Sequence, residues 1–191
     1  MTMISFSRIT AQKAALAIAS AAFFMATAPG RALELDTFLV GVEECALPAP
    51  QSPLGAFVHS IVQRYGNAPG NPRAYAADRT NVAIVLPPEV APAFGPATTR
   101  NFGEYTQVTV PVDGTLGGLP LSHMTLRIGN RNGIKAFMLV FSASRADVVD
   151  VFGDSIEYAD NRGQDAGRRG DGYSAEIPFG EPGRITCDWS S

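Results

Sequence analysis

The chain has 191 residues, 46% of them hydrophobic, with 15 basic and 18 acidic side chains and a formal charge of −3. That length is enough for a domain with one sizeable core. A net-negative surface repels phosphate backbones, and no basic cluster with interleaved aromatics offsets it, so nucleic-acid binding is not expected.

The chain opens with Arg8 and Lys13 as its only charges, followed by the uncharged, Ala-rich run from Ala14 to Ala28. This is the layout of a secretory signal peptide, with small-x-small sites at Ala26-Thr27-Ala28 and Gly30-Arg31-Ala32. A cut after Ala32 avoids Pro29 as the first mature residue. The run is shorter than the roughly 20 apolar residues that span a bilayer, and no other stretch is apolar enough to do so. The expected organisation is therefore residues 1–32 as signal peptide and 33–191 as a single domain, periplasmic or secreted, with no transmembrane span in the mature chain. Only two cysteines occur, Cys45 and Cys187. In an oxidising compartment they are expected to form one disulfide, worth roughly 4 to 5 kcal/mol on chain-entropy arguments. Two such distant thiols without clustered histidines do not resemble a zinc site.

Thr37 to Ala46, rich in Val, Leu and Phe, reads as a first strand. In the next segment Ser52 is a candidate N-cap and Pro53 suits a first helical turn. Leu54, Phe57, Val58, Ile61, Val62 and Tyr65 form one apolar stripe, ended by Gly66. His59 lies toward the polar side. Nine of the fourteen prolines fall between Pro48 and Pro96, in loops interrupted by Val82 to Leu86, which is short and β-branched enough for a buried strand.

Tyr105 to Val112 alternates with the period of a half-buried strand. Asp113-Gly114 is expected to turn the chain, with DGTLGGLP as a hairpin loop. Leu119 to Ile128 returns, and Asn132-Gly133 suits a tight turn. A two-residue turn there sets Ile128 opposite Phe137, Leu126 opposite Leu139 and Met124 opposite Phe141. A four-residue loop shifts the partners by two and leaves the faces unchanged. Ser144 and Asp147 mark the start of a short helix ending at Phe152 before Gly153. Asp160 to Gly172 has a loop's composition. It lacks the spacing of a calcium loop, and its Arg169-Gly170-Asp171 resembles an integrin adhesion tripeptide only as three residues do. Tyr173 to Phe179 and Arg184 to Trp189 form a final hairpin. The expected fold class is α+β: a mostly antiparallel sheet of about six or seven strands with two helices packed on it and one disulfide.

No constellation identifies a reaction. Ser60 and Ser122 are sequence neighbours of His59 and His123, which point away from them on a regular element, and there is no G-x-S-x-G elbow. Asp147, Asp150 and Asp154 recur at helical spacing, as on a solvated face. No catalytic residue, metal ligand or cofactor is therefore assigned. The expected function is an exported, non-enzymatic protein that binds another protein or an envelope component. The alternative is a small-ligand-binding protein or a carboxylate-dependent enzyme of the periplasm. The candidate binding residues are His123, Thr125 and Arg127, on the less apolar face of the hairpin strand, beside Ala136, Met138 and Val140.

Overall fold

The structure, a computed structural model, describes residues 32–66, 81–130, 133–170 and 172–190. Residues Arg31–Ser191 form one compact unit. The expected signal peptide, apart from Ala32, lies outside the described residues, as do Asn132 of the expected turn and Asp171 of the RGD tripeptide. Among the described residues no helix is long and apolar enough to cross a membrane.

Among the described residues eight strands form a curled, mostly antiparallel sheet with two α-helices, an α+β fold. The strands are β1 (Leu33–Glu34), β2 (Thr98–Asn101), β3 (Tyr105–Pro111), β4 (Gly114–Leu116), β5 (Leu119–Gly129), β6 (Lys135–Phe141), β7 (Ser174–Glu176) and β8 (Arg184–Asp188). The long β5 pairs with β6 on one side and with β4 and then β3 on the other; β8 and β7 continue beyond β6. Among these strands β1 and β4 form the one parallel pair. The β5–β6 register takes the longer-loop arrangement: Ile128 faces Lys135, Leu126 faces Phe137 and Met124 faces Leu139, with a bulge before Leu121 meets Phe141. Met124, Leu126, Phe137, Leu139 and Phe141 are all buried on one face, which we call inner.

Helix α1 (Pro53–Tyr65) begins as its cap residues dictate, the Ser52 hydroxyl accepting from the Gly55 N–H at 3.0 Å. Its stripe packs Phe57 and Ile61 into the core, where Phe57 contacts the rings of Phe38 and Phe94. Ser60 is buried because its hydroxyl donates to the Phe57 carbonyl and accepts from the Val85 N–H. Val82 to Leu86 is not a strand but an irregular segment tied to α1 through Ser60, with Ile84 and Leu86 against the core.

Thr37 to Ala46 is not a strand either. It winds in successive turns, with Leu39 N–H to the Leu35 carbonyl and Cys45 N–H to the Val42 carbonyl. Leu35, Phe38, Leu39, Val42 and Cys45 are the buried positions, a three-to-four spacing instead of two. The segment DGTLGGLP contains β4, and the chain reverses at Gly117-Gly118, whose φ values of 57° and 75° suit a two-residue hairpin turn.

Helix α2 (Arg145–Gly167) starts at Ser144 with the capping box its Asp147 completes, but it does not stop at Gly153. It runs through most of the segment expected to be a loop. Phe152, Ile156, Ala159 and Gly163 continue one buried stripe against the β7–β8 end of the sheet. An interior glycine costs about 1 kcal/mol relative to alanine, whereas burying one side chain the size of Ile156 returns about 1.5–3 kcal/mol. The stripe outweighs Gly153.

Candidate functional site

The three residues singled out from sequence share the outer face of β5. His123, Thr125 and Arg127 lie opposite Pro111, Thr109 and Gln107 of β3, and opposite Val140, Met138 and Ala136 of β6. Thr125 is buried among these strand neighbours, and burial lowers the His123 pKa below its ordinary 6.5. Ala136 and Val140 are buried too, yet lie apart from the core cluster that holds the apolar faces of α1 and α2. Both helices pack on the inner side.

Arg127 ends a run of cation, ring, ring and cation that residue spacing alone did not reveal. Its guanidinium lies 5.3 Å from the Tyr105 ring centroid. Tyr105 stacks on Phe102 at 5.0 Å, and the Arg100 guanidinium lies 4.8 Å from the Phe102 ring centroid. The buried Arg127 Nε has no hydrogen-bond partner. Such contacts are worth about 0.5–1 kcal/mol each at exposed positions, so the column braces β3, and the antiparallel β2 paired with it, against β5. It does not form a concave site.

The inner side does. Between α1 and the β5–β6 hairpin a cleft of about 230 Å³ opens. One wall is Leu54, Val58 and Val62, spaced four apart along α1. The opposite wall is Leu126, Ile128, Phe137 and Trp189, and the Cys45–Cys187 disulfide with the following Ala46-Leu47-Pro48 forms the third. The apolar stripe of α1 is thus divided: Phe57 and Ile61 close the core, while Val58 and Val62 face the cleft. Val62 remains 39% exposed and Leu47 65% exposed, the kind of apolar surface that soluble proteins usually cover or use. The Trp189 indole N–H donates to the Cys45 carbonyl at 3.1 Å, fixing the ring as a wall and joining the two cysteine segments a second time.

The chemistry of the lining is restricted. Among the described residues it includes no carboxylate, imidazole, hydroxyl or free thiol; its charged members are Arg127 and Lys135. Such a cleft can exclude water from an apolar group, but it offers no acid–base pair to a reacting one. A second, polar hollow lies beyond the end of α2, lined by Gly167, Gly170, Gly172, Tyr173, Ser174, Asp188 and Ser190. Among the described residues no three His, Cys, Asp or Glu side chains group to hold a metal ion. No family model, no curated protein and no solved structure matches this chain.

Proposed function

We infer that the protein is an exported, non-enzymatic binding protein that holds a small apolar or amphipathic envelope component in the cleft between α1 and the β5–β6 hairpin. The observation that carries this reading is the cleft itself: open to solvent and apolar on three walls, the third of them built on the disulfide. The disulfide also supports export, since such bonds persist in oxidising compartments. Cavities of the order of 150 Å³ with aliphatic and aromatic walls hold a benzene-sized guest. A somewhat larger one suits a short alkyl chain or a single ring, each buried methylene contributing about 0.8 kcal/mol.

Trp189 is the only tryptophan in the chain and lines the cleft, so its emission reports directly on occupancy. Titration of the oxidised protein with a neutral ligand such as decanol should give a saturable emission change, abolished in Val58→Glu, which sets a charge in the wall. A linear, non-saturating response unaffected by that variant would refute the reading.

A second reading, docking of a macromolecular partner on the outer face beside His123, Thr125 and Arg127, draws on the exposed Arg100 and Phe102 of the ring column. With no helix among the described residues packed there, Arg127→Glu should weaken partner capture while shifting melting by only the small loss of one cation–π contact. Undiminished capture by the folded variant removes this reading.

A further inference from the structure

The charge at the rim of the cleft carries the argument from an apolar ligand to a class of ligand. Arg127 turns its guanidinium away, over Tyr105 on the outer face. Lys135 is different. It lies directly opposite Ile128, and residues opposed in an antiparallel pair share a face, so its exposed side chain belongs to the cleft side of the hairpin. None of the ion pairs of the described residues involves it. In a chain of net charge −3, an apolar cleft edged by an unpaired cation and no acid is complementary to an anion with an apolar body.

We propose that the ligand is an amphiphile with one carboxylate head, a medium-chain fatty acid. Its tail lies against Val58, Val62, Leu126 and Phe137, and its head lies beside Lys135. This rests on the cleft being a ligand site. A lysine supplies a compact point charge on a flexible stem, suited to a singly charged head at the water boundary, without the planar fork by which arginine clamps two oxygens. The volume sets the tail: with a methylene taking somewhat less than the ~30 Å³ share of a water molecule, the cleft of about 230 Å³ seats roughly eight carbons.

The test titrates the full, oxidised chain with decanoate, decanol and decyltrimethylammonium, following Trp189 emission at low and high salt. Decanoate should bind roughly tenfold more tightly than the cation at low salt, as expected for one exposed charge attracting one ion and repelling the other, and the gap should narrow at high salt. Lys135→Glu should invert the order of the two ions and leave decanol unchanged. That crossover is not produced by a variant that merely unfolds or loosens the cleft. If decanol binds but the two ions bind alike, or the substitution leaves their ratio where it was, the head-group assignment is overturned while the cleft stands as an apolar site. If decanol itself fails to bind, the cleft reading falls and takes the carboxylate with it.

Discussion

Gly163→Ala sets helix propensity against packing, and the two disagree in sign. In an exposed helix interior the change should stabilise by about 1 kcal/mol. At Gly163, buried in α2, an added Cβ would collide with the Tyr173 carbonyl oxygen and come within 3.0 Å of both the carbonyl carbon and ring atom Cδ2. The obstructing atoms are mostly backbone, so relief requires α2 and the chain entering β7 to separate. That separation would also stretch the bond from the Ala175 N–H to Asp160 Oδ1, now 3.2 Å. Overpacking costs about 1–3 kcal/mol and a weakened hydrogen bond about 1 kcal/mol. After subtracting the propensity gain the expected loss is about 2 kcal/mol. Gly153→Ala, in the same helix, is the control: its Cβ would meet only Val149 Cγ1, at 3.4 Å, so it should stabilise by about 0.5–1 kcal/mol. Equilibrium urea unfolding of the oxidised proteins measures both, with an unchanged m value confirming that only stability moved. If Gly163→Ala stabilises as Gly153→Ala does, or if both are neutral, then α2 does not continue past Gly153 packed against the Tyr173 segment.

Reduction of Cys45–Cys187 opens a loop of 142 residues' separation; it should cost roughly 4 to 5 kcal/mol, lower the melting temperature by ~10 °C and abolish the Trp189 response to decanol, because the Cys45 wall is released. Calorimetry and fluorescence with and without reductant check this. Limited trypsin digestion should cut after Arg168 or Arg169, at the end of α2, well before Arg162, which is helical and pairs with Glu44 at 3.2 Å; peptide mass mapping over time gives the order, and prior cleavage at Arg162 would contradict it. His123, whose pKa burial depresses below 6.5, is protonated at a higher pH in the unfolded chain than in the folded one. Its contribution is therefore whole above the unfolded value and is lost as pH falls through the folded one. His123→Gln should flatten the fall of stability below pH ~6.5, as read from urea midpoints across that range.

Features written in local sequence were legible without the fold. Ser52-Pro53 and the Ser144–Asp147 capping box start the two helices because N-caps are satisfied by residues three positions away. The alternation from Met124 to Phe141 assigns one buried sheet face whatever the turn length, since side chains on a strand repeat every two residues. Two cysteines permit one intramolecular pairing, and it forms.

What depended on distant partners could not be read this way. Thr37 to Ala46 has the composition of a strand, but its buried residues follow a helical spacing because Phe38 meets Phe57 and Phe94 across the core. Gly153 reads locally as a helix stop, and only the sheet beneath Ile156, Ala159 and Gly163 makes continuation favourable. His123, Thr125 and Arg127 were found as one face of a strand, yet the concave surface lies on the other side. It is assembled from α1, the β5–β6 hairpin and both cysteine segments, which are contiguous only in the folded chain. Composition and period report which face a residue prefers to bury; whether that face is filled, as at Phe57, or left as a cleft, as at Val62, is decided by the volume its tertiary neighbours leave.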